Sequence, residues 1–149
     1  MKKEPSETVV RTWARLVRAQ QVAMSKVQTA LKKAHLPPLT WYDVVLELER
    51  AGGALRPFEL EREMLLPQYG LSRLLERIAE AGYVRRQPCD DDGRGLLVEV
   101  TRDGRELRRR MWPVYASAIN DAVAAHLTES EAATLGDLLG KLVGDGLSN

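Results

Sequence analysis

The stretch Gln68-Tyr69-Gly70-Leu71-Ser72-Arg73-Leu74-Leu75-Glu76-Arg77-Ile78-Ala79-Glu80-Ala81-Gly82-Tyr83-Val84-Arg85-Arg86-Gln87 decides the fold, because its hydrophobic period changes partway along. Leu71, Leu74, Leu75 and Ile78 recur at steps of three and four, the spacing of one buried face of an α-helix. Tyr69, Ser72, Arg73, Glu76 and Arg77 fall mostly on the opposite side. The expected helix starts near Gln68, runs to Glu80 and is capped by Gly82. Tyr83 to Gln87 and Leu96 to Thr101 then read as two short strands, with Asp90 to Gly95 as the polar loop of a hairpin.

Toward the N-terminus, Leu65-Leu66-Pro67 breaks the chain, and Pro57 suits the first turn of a short helix ending near Glu63. Gly52-Gly53 stop a helix that turns Trp41, Val44, Val45 and Leu48 inward, and Thr40 to Asp43 reads as its capping box. Pro37-Pro38 end a long helix from about Ser6 to Ala34. Val10, Trp13, Val17, Met24, Val27 and Leu31 form its stripe, with Arg11, Arg15, Arg18 and Lys26 opposite. Toward the C-terminus, Thr101 can cap a helix carrying Leu107, Met111, Val114 and Ala118, and Pro113 is expected to bend or split it. Thr128-Glu129-Ser130-Glu131 is a second capping box, opening a last helix with Leu135, Leu138, Leu139 and Leu142. The tail from Gly144 is expected to fray. The chain therefore reads as mostly α (α+β): a winged helix-turn-helix with long N- and C-terminal helices. Their apolar stripes are more than one small lobe can cover, so a second subunit is expected to cover the rest.

Composition removes most enzyme classes. The 149 residues hold one Cys and two His, and no HExxH, CxxC, GxSxG or GxxxxGK[ST] pattern occurs. A Cys–His nucleophile pair or a Cys-rich zinc site lacks raw material, so no catalytic residue, metal or cofactor is expected. Asp90-Asp91-Asp92 follow Pro88 and precede Gly93, which reads as a solvated hairpin tip. No apolar run approaches the roughly 20 residues of a membrane span, and the first residues lack the apolar stretch of a signal peptide. A lone Cys fits a reducing compartment, and a cytoplasmic location is expected. With 22 Lys and Arg against 21 Asp and Glu, the net charge of +1 argues against a non-specific nucleic-acid coat.

A local basic face remains open. In a helix-turn-helix, the N-terminal residues of the second helix reach base edges in the major groove. Gln68, Tyr69, Ser72 and Arg73 occupy that end; Gln can pair with adenine and Arg with guanine. Arg77, one turn on, suits phosphates. A solvated helix with Arg73 paired to Glu76 or Glu80 would look the same. Arg85 and Arg86 enter the hairpin, and Arg94 at its tip suits the minor groove, held extended by a neighbouring acid. From residue 85 to 110 there are eight Arg against six acids, so geometry must turn the arginines outward. A two-fold dimer would double the contacts and read half-sites about 34–36 Å apart.

The segments Gly70 to Ile78, Gly82 to Arg86, Asp92-Gly93-Arg94, Val100 to Gly104, Leu39-Thr40 and Leu127 to Glu131, in this order and spacing, resemble the MarR family of winged-helix transcriptional regulators. The resemblance runs from about residue 8 to 143. It implies a single domain over 1–149, dimerisation helices at 6–34 and 103–143, and a DNA-binding lobe at 40–101. It implies a homodimer on a double-stranded, pseudo-palindromic DNA operator, usually as a repressor. Arg94 would be the wing arginine in the minor groove and Asp92 its positioning acid, with Ser72 and Arg73 on the recognition helix; Gln68, Tyr69, Arg77 and Arg86 are the further DNA-contact candidates read from the residues themselves. Two departures stand out: Arg56-Pro57-Phe58 lacks the usual Ser or Thr cap, and Gly70 replaces a Thr-like residue. Many members release DNA on binding a small aromatic or phenolic acid. Trp13 and Trp41, with Arg15 and Arg18, supply the flat apolar wall and cations such a ligand needs. Ordinary core packing of the two tryptophans is the plainer reading of each alone. The competing class is a winged-helix module that contacts protein rather than DNA.

Overall fold

The computed structural model describes residues 2–66, 69–88 and 96–144. It contains α1 (Glu7–Lys33), α2 (Leu39–Arg50), β1 (Ala54–Leu55), α3 (Pro57–Glu63), α4 (Leu71–Glu80), β2 (Val84–Pro88), β3 (Leu96–Val100), α5 (Arg102–Ile119), a π-helical turn (Asn120–Ala124) and α6 (Glu129–Val143). The chain divides into two compact units, one of residues 31–114 and one of residues 1–30 with 115–149.

The first of these units is a winged helix-turn-helix. Leu71, Leu74, Leu75 and Ile78 of α4 are buried together with Val44, Val45 and Leu48 of α2, Leu60 of α3 and Val84, Val98 and Val100 of the sheet. Each fully buried aliphatic side chain here contributes about 1.5–3 kcal/mol, so the stripe read from the sequence also sets the packing. The sheet is antiparallel in the order β1-β3-β2. Val84 faces Val100 and Arg85 faces Glu99 across the β2–β3 pair. The third strand, β1, was absent from the sequence reading: two residues cannot show a period, and Ala54 and Leu55 become a strand only by pairing with Glu99 and Val98.

Two helix starts differ from expectation. Helix α4 begins at Leu71 rather than near Gln68, because Gly70 takes the left-handed conformation (φ 73°) and its carbonyl opens the helix, accepting from the Arg73 and Leu74 N–H groups. At α2 no side chain caps the N-terminus; Pro38 holds that position and Thr40 lies inside the first turn. The Asp43 carboxylate expected to complete a capping box is committed elsewhere, to the turn before α4.

Helix α5 opens as expected, with the Gly104 N–H donating to Thr101 Oγ1 at 3.1 Å. Its first half is fastened to α2: Glu49 pairs with Arg105 at 3.6 Å and accepts a hydrogen bond from Arg108, and Trp112 stacks on Tyr42 at 6.3 Å. Burial pulls the Arg108 guanidinium pKa down, but its bonds to Glu49 and Tyr42 outweigh that and raise it. Pro113 does not split the helix, which runs on to Ile119. Pro113 is exposed, so water can satisfy the carbonyl one turn back that loses its amide partner.

In the other unit, Lys26 Nζ reaches the Asp121 carbonyl at 3.3 Å, at the π-helical turn. The capping box of α6 is complete. Thr128 Oγ1 accepts the Glu131 N–H at 3.1 Å, and Glu131 accepts the Thr128 N–H at 3.0 Å. That backbone N–H, helped by the Thr128 hydroxyl, lowers the Glu131 carboxyl pKa. Helix α6 buries none of its residues, and Leu135, Leu138, Leu142 and Val143 are exposed on it. Val9, Val10, Trp13 and Val17 are exposed on α1.

Candidate nucleic-acid interface

Helix α4 is amphipathic in the strict sense that each buried residue has an exposed neighbour. Ser72, Arg73, Glu76 and Arg77 face away from the core stripe, and Tyr69, just before the helix, is fully exposed. On β2, Val84 is buried while Arg85 and Arg86 are exposed. Gln68, Asp92 and Arg94, with the hairpin tip and Cys89, lie outside the described residues.

The arginines of the lobe differ in how they are neutralised. From α2 through β3, Arg50 pairs with Glu47 at 3.1 Å, Arg62 with Glu63 at 3.6 Å and Arg85 with Glu99 at 3.7 Å. Arg73, Arg77 and Arg86 have no ion pair among the described residues. The pairing of Arg73 with Glu76 or Glu80 that would make α4 an ordinary solvated helix is therefore not formed. Neighbours on one strand, Arg85 and Arg86, are separated by register: Arg85 lies opposite Glu99 and Arg86 opposite Val98. An overall charge near zero thus leaves three arginines around the exposed face of α4 with no ion pair among the described residues.

Two clefts flank that helix. One, of about 440 Å³, is lined by Pro38, Thr40 and Trp41 on the α2 side and by Tyr69, Arg73, Leu74 and Arg77 on the α4 side. The other, of about 330 Å³, brings Ser72 of α4 together with Arg86 of β2, walled by Phe58, Leu71, Leu75 and Leu96. The second cleft shows that Arg86 and the Ser72 side of α4 belong to one continuous surface. Trp41 packs edge-on against Tyr83 at 6.0 Å and also lines the first cleft, so it is part of the core and of the surface at once.

The other residues grouped with Trp41 as ligand-binding are placed differently. Trp13 (66% exposed), Arg15 and Arg18 lie on α1, in the other compact unit, with exposed side chains. The sequence reading missed that Arg73 and Arg77 line a cleft together with Trp41. It also missed Asp43: an acid between Tyr42 and Val44 on an apolar stripe was the available signal.

Among the described residues no cluster of three His, Cys, Asp or Glu could hold a metal ion, and no helix is long and apolar enough to cross a membrane. A helix-turn-helix flanked by a three-stranded antiparallel sheet defines a winged-helix protein. The more particular assignment follows from comparison: the chain resembles the MarR family of winged-helix transcriptional regulators, whose sequence model matches residues 36–95, the span from before α2 to the wing. The multiple antibiotic resistance protein MarR of Salmonella typhimurium is 31% identical over 94 residues, 63% of this chain and 65% of that protein. The chain thus spans just under two thirds of that relative's length. Sco3205, a MarR family transcriptional regulator from Streptomyces coelicolor solved in complex with DNA, superposes with a TM-score of 0.85 at 25% identity, covering 100% of this chain and 93% of that one. The organohalide sensing regulator RdhR-CbdbA1625, in its 2,4-dichlorophenol bound form, shares the fold with a TM-score of 0.78 at 16% identity, covering 95% and 86%.

Proposed function

We propose that the chain is a dimeric, sequence-specific DNA-binding transcriptional regulator that represses from a pseudo-palindromic operator. The observation that carries this reading is that, among the described residues, Arg73, Arg77 and Arg86 on α4 and the adjoining strand have no acid partner, while Arg50, Arg62 and Arg85 are paired. Unpaired arginines are free to replace the counterions of phosphates or to fork onto guanine. Ser72 and Tyr69 stand beside them for base or sugar contacts, and Arg94, with Asp92 to steady it, extends the surface into the minor groove. Sco3205, solved in complex with DNA, supports the DNA-binding reading.

The dimer is formed by the exposed apolar residues of α1 and α6. A 15-residue helix that buries no residue within its own chain is stable only where another surface covers it. Release of DNA follows binding of a small aromatic or phenolic acid. Trp41 with Arg73 and Arg77 offers such a ligand an aromatic wall and two cations, and a ligand seated there takes those cations from the DNA. Trp13, Arg15 and Arg18 form the alternative ligand-binding group.

The test is selection of duplexes from a randomised library by the full chain, followed by salt titration with Arg94→Ala alongside. The expected result is an inverted-repeat sequence, affinity that falls steeply with salt, and weaker binding by the variant. Sequence-indifferent binding that Arg94→Ala leaves unchanged would favour the protein-interaction module instead.

A further inference from the structure

Helix α2 carries two acids on its buried side, Asp43 (4% exposed) and Glu47 (8%). Arg50 answers Glu47. Asp43 makes no ion pair among the described residues, and its two oxygens are used differently. Oδ1 accepts the Leu65 N–H at 3.1 Å and Oδ2 accepts the Leu66 N–H at 2.8 Å. Bonds from main-chain N–H groups to a buried carboxylate are charge-assisted and stronger than neutral ones. Both donors belong to the connection between α3 and α4, after Met64 closes α3 and before Gly70 opens α4.

Met64 packs against the core, and the next residue turns outward. Leu65 is 71% exposed, and α3 buries only Leu60. A side chain from α2 therefore holds the main chain at Leu65 and Leu66, ahead of α4. We propose that Asp43 is a positioning residue for DNA recognition: by holding the Leu65 and Leu66 N–H groups it sets the direction in which α4 presents Ser72, Arg73 and Arg77. This rests on the reading of α4 as the recognition helix.

Loss of one oxygen as an acceptor frees the turn to sample other arrangements. Apparent affinity then falls by the fraction of molecules in which α4 is correctly presented. Acid does this without mutation. Burial raises the Asp43 pKa, against the pull of the Leu66 and Leu65 N–H groups and of Arg50. Glu47 is raised the same way, with Asp43 and Glu63 of α3 adding to it and Arg50 opposing. Both acids thus protonate more readily in the folded chain than in the unfolded one. Their contribution to stability is fully present in acid and is lost as pH rises through the folded values. Acidification through that window therefore stabilises the fold while it releases the tether and weakens DNA binding. A purely structural acid would move both quantities in one direction.

The experiment compares the full-length wild type with Asp43→Asn, using a duplex that the wild type selects from a randomised library. Asn keeps the size of the side chain and removes a buried charge, but turns an NH₂ toward a backbone N–H. The expected results are faster hydrogen exchange at Leu65 and Leu66 with Ile78 and Val98 unchanged, and roughly tenfold weaker binding at neutral pH, the scale of one buried donor left unpaired. Wild-type affinity should also fall on acidification through the raised Asp43 titration, while the variant's profile stays flat. The wild-type pH profile and stability curve need no variant, so a folding defect in Asp43→Asn does not rescue the idea. Equal affinities, or parallel pH profiles, overturn the positioning role alone. Unchanged exchange at Leu65 and Leu66 overturns the tether. Failure of the wild type to select any duplex overturns the DNA reading and this role with it.

Discussion

Arg77→Ala is the substitution that most directly probes the interface. Arg77 projects from the exposed side of α4, one turn beyond Arg73, and has no acid partner among the described residues. In the proposed complex it sits on a phosphate in each half-site. Each neutralised phosphate contributes about 0.9 to the slope of log affinity against log salt, so a two-fold dimer lacking both guanidinium groups should lose about 1.8. Between about 50 and 200 mM salt that difference shrinks the wild type's advantage roughly tenfold. The assay is fluorescence anisotropy on the selected duplex across that range. Arg85→Ala is the control, removing the same charge from the neighbouring strand, where Glu99 already compensates it at 3.7 Å. An exposed pair of this kind is worth about 0–1 kcal/mol, and its loss should leave the slope unchanged. If Arg77→Ala gives a line parallel to wild type, Arg77 does not touch phosphate. If Arg85→Ala lowers the slope equally, net charge alone is at work and the sorting of paired from unpaired arginines has no functional meaning.

Leu138→Glu should leave the monomer fold intact, since α6 buries nothing within its own chain, but should convert the dimer to monomer by sedimentation velocity and abolish tight operator binding; a dimer that survives the charge places the interface elsewhere. Gly104→Ala tests a close approach: an added Cβ would lie 2.2 Å from the Tyr83 carbonyl oxygen, a backbone atom with no side chain to swing aside. Overpacking of this kind costs about 1–3 kcal/mol, which at about 2–4 °C per kcal/mol in a chain of this size lowers the melting temperature by several degrees; an unchanged melting temperature would show that α5 can slide.

The parts of the fold legible from sequence are those whose signal is local. The stripe Leu71, Leu74, Leu75, Ile78 predicts both the existence of α4 and the face it buries, and the exposed set Ser72, Arg73, Arg77 follows by subtraction. The Thr128–Glu131 capping box is correct because both partners lie within one helical turn. The start of α4 was misplaced by three residues because a single φ at Gly70, not any period, ends the turn before it. Asp43 was misread for a similar reason. As a helix-start acid it matches a local pattern, but a turn 22 residues away offers it two N–H groups, and the packing of α2 against that turn decides between them.

What the sequence by itself determined is the order of the helices and of the hairpin strands, the buried faces of α2 and α4 and the class of chemistry available. These follow from residue spacing and from which side chains water tolerates. What only the tertiary structure decided is which arginines of the lobe meet an acid among the described residues. Arg85 and Arg86 are adjacent in the chain and identical in type, yet the β2–β3 register sets Glu99 opposite one and Val98 opposite the other. Trp41 is likewise an apolar helix residue until Arg73 and Arg77 are brought across a cleft from it. Electrostatic partnership depends on distances of a few ångströms between residues far apart in the chain, and those distances exist only once the core has closed.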